Sequence, residues 1–281
     1  MVKLFLLFLL LFGSIFADEL VFENQEDMLT QKIKSFIDEK LYENNKEFIN
    51  IIFSPPSDFY VNDRVDPVKV ASTLKDNGLL KLYFNTPQEL NLHFKTSGAP
   101  LFFVKIMSDS LRNIGYYRYV TTASNLNSSE FTWSISLNSE YATDPLVLQR
   151  ELRKSGCDII DIKRNSSTEW VYVVDMGTGF LNVPSLENEV EFKLKRSLYA
   201  HWLNVSQIQE LRIVSSPRNN WYPYIAYYDS SLHLLQVIKK DSKEYQLSLS
   251  IPRFAKYIKV SDIYTLKNIK DELSLYPTGT R

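Results

Sequence analysis

Apolar positions recur along the chain with two periods, one typical of helices and one typical of strands. They fall at helical spacing over Met28–Leu41, which predicts an N-terminal helix within residues 18–45. Phe48–Phe53 is a continuous apolar run that ends at two prolines, and it is interpreted as a buried strand. The helical pattern returns over Pro100–Ile114, and a strand is predicted to follow it over Tyr116–Thr122.

One helix signature occurs twice, at a constant offset along the chain. Asp66-Pro67 and Asp144-Pro145 each supply an N-cap acceptor and a proline suited to the first helical turn, and Gly78 and Gly156 stand where a left-handed C-terminal residue is wanted. Strand-like runs flank both helices: Phe48–Phe53, Leu79–Phe84 and Glu89–Phe94 in a unit over 46–124, and Phe131–Leu137, Asp158–Lys163 and Trp170–Val174 in a unit over 125–180. This matched context predicts a duplicated βαββ-type unit.

After Gly179 the rhythm changes to short strand-like runs separated by turns rich in Ser, Asn, Pro and Asp. Eight such runs are predicted: Val190–Leu194, Leu198–Val205, Glu210–Val214, Tyr222–Tyr228, Leu234–Ile238, Tyr245–Ile251, Tyr257–Val260 and Leu273–Tyr276. The whole chain is therefore expected to be α+β, with the duplicated units followed by an all-β sandwich over 186–281.

The first residues carry the three-part pattern of a signal peptide. A basic start precedes the apolar run Leu4–Phe12, and small residues close the pattern at Ala17. A membrane-spanning helix needs ~20 apolar residues, and this run meets Asp18 too soon. We expect cleavage after residue 17 and an exported, periplasmic protein without a membrane anchor, although the bulky Ile15 is an unusual residue three places before the cut.

Composition limits the classes of partner and the source of stability. The chain has 32 basic and 33 acidic residues, so neither nucleic acid nor an anionic membrane surface is indicated as a partner. Cys157 is the only cysteine and cannot form an internal disulfide. It is interpreted as a small buried side chain, so packing has to supply the stability.

No residue pattern in the sequence predicts catalysis, a cofactor or a metal. His93, His201 and His233 lie far apart without ligand spacing. Acidic pairs such as Asp158 with Asp161 are expected in any chain with this many carboxylates, and nothing marks one member as buried. A hydrolase is accordingly less favoured than a scaffold or a glycan-binding protein.

Aromatic residues supply the tentative contact sites for a glycan or a protein partner. They are Trp202, Trp221, Tyr222 and Tyr224. Flat aromatic rings bind sugar rings and anchor interfaces, but strand alternation sends Tyr222, Tyr224 and Tyr228 to one side, and such a row is more often core. Both interpretations remain open from the sequence.

Two resemblances bear on function. The segment with Ile251-Pro252 and Ala255–Val260 resembles the jelly-roll sandwiches of carbohydrate-binding modules. The Asn-, Lys-, Ile-, Phe- and Tyr-rich composition, low in glycine and preceded by a signal peptide, resembles uncharacterised periplasmic proteins of Campylobacter-type bacteria, some of which are flagellar-motor or disk scaffolds. The resemblance implies a non-enzymatic scaffold with envelope or flagellar-motor partners. A glycan-binding protein that uses the C-terminal sandwich is the alternative.

Overall fold

The computed structural model describes residues 27–281, so the predicted signal peptide lies outside the described residues. Helices and strands make up 24% and 36% of the chain, which confirms an α+β protein with a β-rich region. Chain contacts separate two compact units, one ending at Tyr83 and one comprising Phe84–Arg281.

The first unit consists of short helices and one small hairpin. Its elements are α1 (Met28–Lys34), α2 (Glu39–Asn44), α3 (Lys46–Ile52), a 3-10 turn (Pro56–Phe59), β1 (Tyr60–Val61), β2 (Arg64–Val65) and α4 (Pro67–Asp76). Asp66 caps α4 as predicted, because its carboxylate accepts from the backbone N–H groups of Val68 and Lys69. Gly78 ends the helix at φ +78°.

Two predictions in this unit are wrong. The single N-terminal helix is two helices, because Asp38 adopts an extended backbone and caps a second helix that starts at Glu39. Its carboxylate accepts from the backbone N–H of Leu41. Phe48–Phe53 is not a strand but most of α3, with Ile49 buried and Ile51 exposed. A short apolar run suits one buried helix face as well as a buried strand, so its length could not decide between them.

The second unit begins with a five-stranded sheet. Its elements are β3 (Tyr83–Thr96, which crosses the boundary between the units), α5 (Pro100–Asn113), β4 (Val120–Leu126), β5 (Phe131–Tyr141), α6 (Pro145–Arg153), β6 (Asp158–Arg164) and β7 (Glu169–Asp175). The strand order is β4-β5-β3-β7-β6, with β3 and β7 parallel. On its buried face the centre of the Phe94 ring lies 5.9 Å from that of Trp133 and 5.7 Å from that of Tyr172, as expected for a packed aromatic core.

The five-stranded sheet contains the predicted βαββ order in the second copy but not in the first. The second copy has the predicted order, since β5, α6, β6 and β7 follow one another. In the first copy a helix replaces the preceding strand. Residues 79–82 are not in a strand, and the rest of Leu79–Phe84 joins Glu89–Phe94 in the single long β3, which passes through Pro87. The predicted units 46–124 and 125–180 both contribute strands to one sheet, and the strand expected at Tyr116 starts only at Val120.

Eight C-terminal strands each overlap one of the predicted runs, and several are shorter than predicted. They are β8 (Phe192–Leu194), β9 (His201–Asn204), β10 (Glu210–Ser215), β11 (Pro223–Tyr228), β12 (Leu234–Lys239), β13 (Gln246–Ser250), β14 (Tyr257–Asp262) and β15 (Leu273–Thr278). They form two four-stranded antiparallel sheets, β13-β10-β15-β8 and β12-β11-β14-β9, with one shared apolar core. This is the packing expected of a sandwich.

Side chains of the five-stranded part contact the sandwich directly. The Lys105 ammonium of α5 lies 5.3 Å from the centre of the Trp202 ring on β9. Between the two parts of this unit, the backbone N–H of Leu181 donates to the Tyr257 hydroxyl at 3.1 Å. These contacts place α5 beside the outer face of the β12-β11-β14-β9 sheet.

Candidate functional site

The four aromatic residues singled out in the sequence lie in different environments. Trp221 is fully buried in the sandwich core, and its indole N–H donates to the carbonyl of Ser261 at 2.9 Å. It is therefore a structural residue rather than a contact residue. Tyr222 and Tyr224 face away from that core and are half-buried, as is Trp202. The row with Tyr222 and Tyr224, which the sequence favoured as core, therefore lies on the outer face of the sheet. The core residues are the odd-numbered ones beside it, such as Trp221.

Trp202 is the predicted residue that lies at a cleft. The cleft has a volume of about 310 Å³, at the lower end of the usual range for small-molecule sites. α5 contributes Lys105, Asp109 and Arg112, and the C-terminal end of α6 and its following turn contribute further polar groups. The segment 181–183 and the start of β9, with His201, complete the lining.

One carboxylate organises the α5 side of the cleft. Asp109 accepts from the Lys105 ammonium four residues before it and from Arg112 Nη2 three residues after it. Both spacings place the partners on the same helix face. Burial is the main cause of a lowered Lys105 pKa, and it outweighs the attraction of Asp109, which raises the pKa. Repulsion from Arg112 and Lys259 lowers the pKa further.

The α6 side of the cleft is also charged, and cationic side chains lie against the nearby aromatic rings. Glu151 on α6 pairs with Lys154 and accepts from the Asn113 amide at 3.3 Å. The Arg112 guanidinium lies 4.5 Å from the centre of the Tyr199 ring. Such cation-aromatic contacts stabilise by ~0.5–2 kcal/mol each, so they help to hold α5 against the sandwich as well as shaping the cleft.

His201 adds a titratable group to the cleft. Burial lowers its pKa below the ordinary value of a histidine, although a backbone hydrogen bond with Lys195 opposes the shift. The imidazole is therefore neutral at pH 7, and the ring nitrogen that does not bond to Lys195 remains for a polar ligand.

Sequence reasoning missed a serine, a histidine and a carboxylate that three adjacent strands bring together. His93 Nδ1 lies 2.8 Å from Ser134 Oγ, and His93 Nε2 lies 3.5 Å from Glu169 Oε1. Ser134 is only 5% exposed and sits in the middle of β5, so a substrate has little access to its hydroxyl. The cross-strand register is the signal that would have found this cluster, and it is not readable before the strands are paired.

Cys157 is buried, as predicted from the sequence. Burial, with smaller effects of Asp158 and Asp175, raises the pKa of its thiol to about 11, so the thiol is protonated at neutral pH. Within residues 27–281 no cluster of three or more His, Cys, Asp or Glu side chains is arranged to hold a metal ion. In the same part of the chain, every helix is too short or too polar to cross a membrane.

Comparisons with known proteins assign no family to this chain. No protein-family profile matches it, and no curated protein matches it. A structural match is a two-domain protein of unknown function from Bacteroides fragilis NCTC 9343, which is 8% identical over 69% of this chain and 81% of that chain, with a TM-score of 0.18. A score this low carries no argument about fold or function.

Proposed function

We propose that the protein is an exported, non-enzymatic scaffold that binds a protein partner through the edge strand β4. The observation that carries this proposal is the exposure of β4. Six of its seven residues are exposed, Ala123 is half-buried, and none is charged. Within the described residues β4 pairs only with β5, so its other edge presents backbone N–H and C=O groups.

Edge strands in natural sheets normally carry features that prevent pairing with other chains. The opposite edge of the same sheet follows that rule, because β6 contains Asp158, Asp161, Lys163 and Arg164. Both edge strands contain a bulge, so the contrast lies in charge. It favours β4 as a contact strand, since an extended segment of a partner can add to it by backbone hydrogen bonding. Val120 and Leu126, both largely exposed, would then anchor the two ends.

The signal-peptide pattern of residues 1–17 supports an envelope location for this partner. The resemblance to periplasmic proteins of Campylobacter-type bacteria points to the same compartment, with a flagellar-motor component as one such partner.

A charge placed on the edge tests the scaffold proposal. Ser124→Lys in β4 should block strand addition, whereas Ser248→Lys on the sandwich edge strand β13 is a matched control, because both serines are exposed. The tagged full chain is recovered from its own cells after cross-linking, and envelope proteins are quantified. We expect Ser124→Lys to lower recovery of a partner by about tenfold at unchanged thermal stability. Equal recovery from both variants would remove β4 as the contact.

A second function is favoured by the position of Trp202. The half-buried indole shares its cleft with amide, carboxylate and hydroxyl groups, which is the combination that binds a sugar. We therefore keep glycan binding by the sandwich as the alternative proposal, with the site moved from Trp221 to the cleft. Titration of the full chain with soluble envelope glycans tests it, and Trp202→Ala should weaken any binding observed.

A further inference from the structure

Cations outnumber carboxylates around the cleft. Lys105, Arg112 and Lys154 line it together with Asp109 and Glu151. A further ammonium, that of Lys259, lies 5.9 Å from the Trp202 ring and repels Lys105. The local field at the α5 wall is therefore positive although the whole chain is close to neutral.

Arg112 is oriented for a second anionic partner. Among the described residues, its hydrogen bonding engages one N–H of Nη2 with Asp109, which leaves the second N–H of Nη2 and a neighbouring N–H of the fork for a ligand. Packing on the Tyr199 ring fixes the plane of the guanidinium. An arginine held in this way binds a carboxylate or phosphate with two parallel hydrogen bonds and loses little side-chain entropy.

A bound anion would also stabilise the charged form of Lys105. Its ammonium shares Asp109 with Arg112, so one negative charge serves two positive ones. Burial and the neighbouring cations act against the charged form of this lysine. A negative group placed between Lys105 and Arg112 would offset that repulsion in a region where water screens it poorly.

The remaining lining groups suit hydroxyls rather than apolar surface. Asn113, Asn182, Ser110 and Ser155 line the cleft, and the neutral His201 adds a donor or an acceptor. A volume of about 310 Å³ accommodates one monosaccharide-sized ligand. Because cations already lie against the Trp202 and Tyr199 rings, charge and hydrogen bonding have to contribute more than stacking.

We propose that this cleft binds an acidic sugar, with the carboxylate or phosphate of the sugar held by Arg112 and Lys105 and its hydroxyls by the surrounding amides and serines. The inference rests on the alternative proposal that the cleft is a glycan site, and it is independent of the scaffold proposal for β4. It names the chemical class of the ligand and the residues that select it.

Isothermal titration of the full chain tests the inference with four probes. They are glucuronate, N-acetylneuraminate, inorganic phosphate and glucose. We expect the two acidic sugars to bind at least about tenfold more tightly than glucose, and phosphate to compete with them, because the charge-assisted contacts of Arg112 are lost without an oxyanion. Higher salt should weaken acidic-sugar binding, since part of the cleft is open to solvent.

Arg112→Gln should weaken glucuronate binding by at least about tenfold, and Arg112→Lys should restore part of the loss because it keeps the charge without the fork. Arg212→Gln is the matched control, because Arg212 also lies against a tyrosine ring, at 4.4 Å from Tyr276, outside the cleft. It should leave binding within about twofold. Thermal unfolding of each ligand-free variant separates lost binding from lost structure.

The outcomes separate the selection of an anion by the cleft from glycan binding by the cleft in general. Glucose binding as tight as glucuronate binding, with no effect of Arg112→Gln, would overturn the selection of an anion and leave a glycan site in place. Absence of binding by all four probes would overturn both. Loss of glucuronate binding in Arg212→Gln as large as in Arg112→Gln would also count against the assigned residues.

Discussion

Tyr227 presents a buried hydroxyl in the sandwich core. Its side chain is 0% exposed, and no described protein atom forms a hydrogen bond with its Oη. Burial raises its pKa, so the group is a neutral phenol at neutral pH. Folding strips this hydroxyl of water and returns no protein partner. We predict that Tyr227→Phe stabilises the protein.

The expected gain follows from the cost of an unsatisfied polar group. Leaving a buried donor or acceptor unpaired costs about 1–3 kcal/mol, and phenylalanine keeps the ring contacts while removing that cost. For a unit of this size, 1 kcal/mol shifts the melting temperature by ~2–4 °C. We therefore expect a gain of about 1–2 kcal/mol and a rise of ~2–8 °C.

Tyr172 is the matched control, because the same substitution should have the opposite sign. Tyr172 is equally buried and belongs to the same compact unit, but its hydroxyl donates to the carbonyl of Thr143 at 3.0 Å. Tyr172→Phe leaves that carbonyl unpaired and should cost about 1–3 kcal/mol. Urea and calorimetric unfolding of the full chain measure both variants. A Tyr227→Phe protein that is as destabilised as Tyr172→Phe would refute the reasoning.

Three further predictions concern the sandwich, the cleft and the helix ends. Asp262→Ala should cost about 3–5 kcal/mol in urea unfolding, because the buried carboxylate accepts four hydrogen bonds; a loss below about 1 kcal/mol would contradict this. Because the His201 pKa is lowered on folding, the unfolded state binds more protons, and the free energy of unfolding should fall as pH drops below about 6.5. His201→Asn should make the free energy of unfolding less dependent on pH than it is in the wild type. Gly156→Ala should be more destabilising than Gly78→Ala, because both glycines have positive φ but only at Gly156 would a Cβ lie 2.5 Å from the Thr178 carbonyl; equal melting temperatures would contradict the steric argument.

The parts of the fold that the sequence predicted correctly depend on local chemistry. Asp144 caps α6 through the backbone N–H of Leu146, and Gly156 follows the helix at φ +66°, because both residues act within one turn of their own position. The sandwich strands were found for a similar reason, since turn residues fix both ends of each short run.

The parts that the sequence misjudged depend on partners distant in the chain. The prediction of two strands, Leu79–Phe84 and Glu89–Phe94, requires a break at Asn85-Thr86-Pro87, but the backbone there remains extended within β3. Proline is tolerated where the missing N–H has no ladder partner, and β7 pairs with β3 only over Asn91–Lys95. Local signals could not reveal that the ladder of the neighbouring strand stops before this residue.

The cleft shows why a candidate site was harder to predict than the fold. Alternation in β11 separates Trp221 and Tyr227 from Tyr222 and Tyr224 correctly, but a period of two does not say which side faces the other sheet. That choice is set by β14, whose Ile258 and Val260 enter the core while Lys259 stays on the outer face, opposite Trp202 in the strand register.

The cation-rich wall did have a local signal. Lys105, Asp109 and Arg112 follow the four- and three-residue spacing of one helix face, a pattern that usually marks a solvated surface. Here the same face lies beside Trp202, so an ordinary surface ion-pair series becomes the wall of a cleft. The proposed anion binding by the three residues therefore depends on the packing of α5 on the sandwich, and a substitution that loosens this packing should weaken glucuronate binding even though it leaves all three in place.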